Sequence, residues 1–99
     1  MAVHIPIDRK VLADYCRHHH VRRLALFGSV LRDDFAPASD VDVLVEFEPG
    51  HVPGLAFFDM KRELTALLGR RVDLNTPGFL SRYFRDQVLA EAVNQYVAA

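Results

Sequence analysis

Apolar positions recur along this chain at two different periods, and the switches between them mark its elements. Over residues 8–19, Val11, Leu12, Tyr15 and Cys16 fall on one face at helical spacing, and Asp8 stands where an N-cap is wanted. The pattern changes at Val21–Phe27 (VRRLALF). After Arg22 and Arg23 its apolar residues run almost unbroken, which predicts a buried strand that Gly28-Ser29 ends. A short helix over 29–34 and a loop, Phe35-Ala36-Pro37-Ala38-Ser39, are expected next. Residues 40–47 (DVDVLVEF) are rich in β-branched side chains and predict a second strand, broken by Glu48-Pro49-Gly50. Residues 55–68 predict a long helix with Leu55, Phe58, Leu64, Leu67 and Leu68 in its apolar stripe and Gly69 just past its end. A short strand over 71–75 and a turn at Thr76-Pro77-Gly78 follow. Residues 83–97 predict a closing helix with Phe84, Val88, Leu89, Ala92, Val93 and Tyr96 facing inward. Helix, strand, short helix, strand, helix, strand, helix is the order of an α/β chain of α+β type with a small sheet.

Composition narrows what such a domain does. The 99 residues and a hydrophobic fraction of 51% fit a single domain, 1–99, that buries a core. A chain this small barely covers itself, so an exposed apolar face would point to a partner. The net charge of −1 lacks the basic excess of a nucleic-acid coat, and no direct nucleic-acid binding is expected. Cys16 is the single cysteine, which excludes an internal disulfide and suits a reducing compartment; its helical stripe predicts burial. Residues 1–10 carry acidic and basic side chains and lack the apolar run of a signal peptide. No segment approaches the ~20 apolar residues of a membrane span, so a soluble, cytoplasmic protein with no membrane partner is expected.

The candidate chemistry lies in three places. Asp40 and Asp42 are two apart on a predicted strand, so both carboxylates point to one face. Held side by side they repel each other unless a cation sits between them, and a hard ion such as Mg²⁺ prefers oxygen ligands. Gly28-Ser29 sits between a strand and a short helix, where the backbone can approach a phosphate closely, N–H groups attract the anion and the Ser29 hydroxyl adds a donor; Arg32, one turn on, could face the same anion. Asp73 lies on the third predicted strand. If that strand pairs beside the second, Asp73 joins Asp40 and Asp42, and three carboxylates around two metal ions support in-line nucleotidyl transfer. Each piece alone is common. Strand, Gly-Ser, ten residues, Asp-x-Asp on an apolar strand and then a third strand bearing Asp is not.

The stretch Gly28-Ser29, ten residues, Asp40-x-Asp42 resembles the signature of the DNA polymerase beta nucleotidyltransferase superfamily. More narrowly, LALFGSVLRDDFAPASDVDVLVEF resembles the minimal nucleotidyltransferases of bacteria and archaea. RRVDLNTP is similar to the short family strand that bears the last acid, and VLAEAVNQYV to the family's closing helix. The resemblance covers the chain from about Val21 to Val97. It implies a DNA polymerase beta-like fold with a small mixed sheet flanked by helices. It also implies that Asp40 and Asp42 bind two Mg²⁺ ions, that Asp73 completes the site, and that Gly28 and Ser29 hold the β- and γ-phosphates of a nucleotide, with ATP the family expectation. Arg32 would be a secondary phosphate contact. Many relatives are encoded beside a HEPN-domain RNase toxin and act as its antitoxin, several through transfer of AMP to a tyrosine of the toxin. One departure is Asp33, followed by Asp34, where many relatives have Gly. An acid there would repel a triphosphate unless it faces solvent, which is the reading adopted.

Other features have plainer readings. His18, His19 and His20 cannot all face one ion from consecutive helical positions, and read as a solvated helix end. Lys61, Arg62, Arg70 and Arg71 fit the charged outer face of a helix and its end as well as a phosphate or RNA surface. Three functional classes remain: a protein adenylyltransferase, an idle relative that silences a toxin by covering it, and a small-molecule nucleotidyltransferase. All three acids are present, which favours catalysis, and these 99 residues are not expected to include a second domain that would hold a drug-like acceptor or a nucleic-acid template.

Overall fold

The computed structural model describes residues 7–31, 40–51, 53–80, 83 and 85–98, without the side chains of Ser29 and Phe79. The expectations for Arg32, Asp33, Asp34, the loop 35–39 and Phe84 fall outside those residues. Helix α1 (Arg9–His18) starts where expected: the Asp8 carboxylate accepts from the Lys10 and Val11 N–H groups, satisfying two donors that have no partner within the helix. Leu12 and Cys16 form its inner edge. Val11 was expected there but is 48% exposed, because it stands one position off the stripe that faces the sheet.

The chain then runs through strand β1 (Val21–Phe27), a 3-10 turn (Gly28–Leu31), strand β2 (Val41–Phe47), helix α2 (Ala56–Leu68), strand β3 (Val72–Asn75), a second 3-10 turn (Pro77–Phe79), helix α3 (Arg85–Glu91) and strand β4 (Val93–Val97). The sheet order is β3-β2-β1-β4, with β2 and β3 parallel and the other neighbours antiparallel, so the sheet is mixed. Its one parallel pair needs a crossover, and α2 supplies it. Gly69 ends α2 at φ 71°, its N–H bonded to the Thr65 carbonyl at 3.0 Å.

Alternation along the strands divides the core in two. Val41, Val43, Val45, Val72, Leu74, Leu24 and Leu26 pack with Leu12, Cys16, Met60, Leu64 and Leu68 of α1 and α2. Ala25 and Leu44 face the other way, against Leu80 and Val88. Leu55 and Phe58 were expected in the apolar stripe of α2. Instead they are 84% and 70% exposed, with Met60 taking a buried place and Phe57 packing at the core's edge.

The larger correction concerns the C-terminal segment. One helix over 83–97 was expected, but α3 ends at Glu91 and residues 93–97 form an edge strand. Val93-Asn94-Gln95-Tyr96-Val97 alternates as a strand does, and β1 would otherwise leave a row of unpaired backbone groups along one edge. Pairing with β1 satisfies them, from Leu26 opposite Val93 to Arg23 opposite Val97. Val88, Leu89 and Ala92 do face inward as expected, while Tyr96 packs toward the opposite core cluster.

Candidate functional site

Three strand ends bring the acids together. β1 and β2 are antiparallel with Phe27 opposite Asp42, so Gly28 follows at the edge beside Asp42. β2 and β3 are parallel with Asp42 opposite Asp73. Since Val41, Val43, Val72 and Leu74 point into one core cluster, Asp42 and Asp73 point to the other face, the one that carries Leu44. The pairing of β3 beside β2 that the third acid required is therefore present. Asp40 precedes the strand by one residue rather than starting it, anchored by the Val41 N–H bonded to the Arg71 carbonyl at 2.8 Å.

Gly28 adopts φ 76°, a left-handed conformation that glycine takes without a Cβ penalty. Space requires glycine as well: a Cβ built there would overlap Asp42 Oδ2 and lie 3.2 Å from its Cγ. The turn thus lays bare backbone directly against a carboxylate. The Ser29 backbone continues the 3-10 turn, while its side chain and Arg32 are outside the described residues.

The electrostatics are those of anions forced together. Asp42 has its carboxyl pushed up to about 6, first by burial, then by the charge of Asp73 beside it, by a hydrogen bond with Asp73, and by the charge of Asp40. Asp40 is turned partly aside, its Oδ1 3.1 Å from Arg71 Nε. Sequence reasoning left Arg71 between a phosphate or RNA surface and the charged end of a helix. The parallel register is what brings it to Asp40, and no local pattern signals that. In this conformation the three acids do not meet on one point. Among the described residues, the cluster of three metal-ligand side chains with all donor atoms within 4.8 Å of one another is elsewhere, at His20, Glu48 and His51. An array of oxygen donors whose central carboxyl resists ionisation fits a hard divalent cation, which would relieve the repulsion.

The sequence model of the Nucleotidyltransferase domain matches residues 9–94. The chain belongs to that family. This nucleotidyltransferase is 36% identical over 88 residues to a Methanocaldococcus jannaschii protein provisionally named a protein adenylyltransferase, spanning 89% of the chain and 92% of the relative. It is 42% identical over 74 residues to the protein adenylyltransferase MntA of Thermococcus cleftensis, spanning 74% and 73%. A solved structure described as a provisional minimal nucleotidyltransferase superposes with a TM-score of 0.71 at 39% identity, covering 86% of each chain. A toxin–antitoxin structure with AMP-PNP shares the fold at a TM-score of 0.73 and 19% identity, over 93% of this chain and 75% of that one. The chain is thus a minimal nucleotidyltransferase enzyme. No helix among its described residues is long and apolar enough to cross a membrane.

Proposed function

We propose that residues 1–99 act as one metal-dependent protein adenylyltransferase domain. It would move AMP from ATP to a tyrosine of a HEPN-domain RNase toxin and serve as that toxin's antitoxin. The observation that carries this reading is the register of Asp42 against Asp73, with Gly28 packed on Asp42. Asp40, Asp42 and Asp73 would be the metal ligands, and Gly28, Ser29 and Arg32 the nucleotide contacts. Two bound Mg²⁺ ions would supply Lewis acidity at the acceptor hydroxyl and charge neutralisation at the triphosphate. The chain's own contribution is to hold the carboxylates at one end of the sheet. With cations held there, Asp42 would stay ionised and Asp40 would be drawn from Arg71, and a carboxylate of the cluster would accept the tyrosine proton while pyrophosphate leaves the transferred AMP.

The acceptor as a protein is supported by the surface. An apolar groove of about 380 Å³ lies along α2, lined by Phe47, Pro53, Phe57, Phe58 and Leu74 among others, with Leu55 exposed nearby. The names of the relatives agree with this reading, since two are protein adenylyltransferases and solved neighbours include toxin–antitoxin complexes.

The test is a transfer assay with Mg²⁺, each α-labelled nucleoside triphosphate and the HEPN protein encoded beside this chain, with Asp40→Asn/Asp42→Asn as control. Label on the partner from ATP, lost in the control, is the expected result. A stable complex that takes no label from any nucleotide would instead establish silencing by coverage.

A further inference from the structure

The C-terminal end of α1 and the turn after β2 meet at a second cluster, at the opposite end of β2 from the acids. Residues 42 and 48 are separated by six strand steps, roughly 20 Å. His20 follows the helix cap at φ 56°, a conformation that histidine adopts more readily than most residues. Its backbone carbonyl accepts the Glu48 N–H at 2.9 Å, and the Glu48 carbonyl accepts the His51 N–H at 3.0 Å. The two turns are thereby held side by side. The His20 and His51 rings stack at 3.9 Å between centroids and 17° between planes. His20 Nδ1 lies 3.7 Å from Glu48 Oε2. One ligand atom from each of the three side chains falls within 4.8 Å of the other two.

From these contacts we propose that His20, Glu48 and His51 form a zinc-type divalent metal site that ties the end of α1 to the β2–α2 connection. A tetrahedral Zn²⁺ with bonds of ~2.1 Å spaces its ligand atoms by about 3.4 Å, so the cluster closes on the ion once side-chain rotation opens the His20–His51 stack and brings both ring planes onto it. Two imidazoles and one carboxylate are a zinc donor set that leaves a fourth position open. Nitrogen donors disfavour Mg²⁺, whereas the all-oxygen acids at the other end of β2 suit it, so the two ends of one strand sort metals by ligand chemistry. The histidine triplet does not act as a unit. Only His20 joins this cluster, while His19 packs tilted against Tyr15, with ring centroids 4.2 Å apart.

The experiment is calorimetric titration of the whole chain with ZnCl₂ at neutral pH, in excess Mg²⁺ to saturate the acids, together with thermal melts. The expected result is one Zn²⁺ per chain, a higher melting temperature with Zn²⁺, and shifts of the His20 and His51 ring resonances in NMR spectra. His20→Ala and His51→Ala should each weaken binding by more than about tenfold, the least that loss of an outer partner costs a metal site. Glu48→Gln should weaken it with the metal-free melting temperature unchanged, which keeps the test valid if a histidine variant folds poorly. Zn²⁺ binding that is displaced by Mg²⁺, that persists unchanged in these variants, or that is absent at micromolar Zn²⁺ would overturn the site.

Discussion

Gly28 and Asp42 show how much two residues decide. Any side chain at Gly28 must both adopt φ 76° and displace the Asp42 carboxylate. Gly28→Ala should therefore cost about 1–2 kcal/mol of stability and lower nucleotidyl transfer by more than about tenfold, read by urea unfolding and by the labelled transfer assay. Asp42 makes a prediction of opposite sign. Its folded pKa of about 6 lies above the ordinary 3.8, so between those pH values the metal-free native chain binds a proton that the unfolded chain releases. Stability then falls as pH rises through that window, and the ionised carboxyl is a net cost at neutral pH. The group is half-buried, so solvent screening leaves about 1 kcal/mol of that cost. Asp42→Asn should stabilise the metal-free protein by about that amount at pH 7.5, with the gain gone by about pH 4, while abolishing transfer. Thermal melts across pH check it.

At the scale of elements, caps and periodicity are local and were legible. Asp8 caps α1, Gly69 ends α2 in the left-handed region, and β1 spans the residues its pattern predicts. Gly69→Ala should cost about 1 kcal/mol through its φ of 71°, with transfer kinetics unchanged, since α2 packs on the face of the sheet away from the acids. The strand over 93–97 was not legible. Ala90, Glu91 and Ala92 extend a helical pattern into residues whose fate depends on a vacant strand edge far away in sequence. Hydrogen exchange separates the two conformations. As an edge strand, β4 should protect alternate amides, those facing β1, whereas a helix would protect consecutive ones.

At the scale of the whole molecule, one sheet serves two purposes on its two faces. The face toward α1 and α2 carries most of the core, and the other carries Asp42, Asp73 and a smaller cluster under α3. Core substitutions on the first face should change stability without changing chemistry. Leu64→Ala, at a fully buried position, should cost about 2–5 kcal/mol, a large share of the ~5–15 kcal/mol typical of a domain. Its folded population should retain the wild-type turnover number. Denaturant unfolding and transfer assays on the same preparation check both statements.

The sequence by itself determined what depends on neighbours in the chain: the Asp8 and Gly69 caps, the strand period that turns Asp42 away from Val41 and Val43, the acids themselves and the glycine that turns after β1. Strand register, the pairing of edges and the partners of surface charges depend on contacts between residues distant in the chain, and only the tertiary structure decided them. Asp73 meets Asp42 because two parallel strands pair without a slip, and Arg71 reaches Asp40 by the same register. His20 meets His51 because one backbone hydrogen bond joins two turns. A one-residue shift of β3 along β2 would have sent Asp73 to the opposite face.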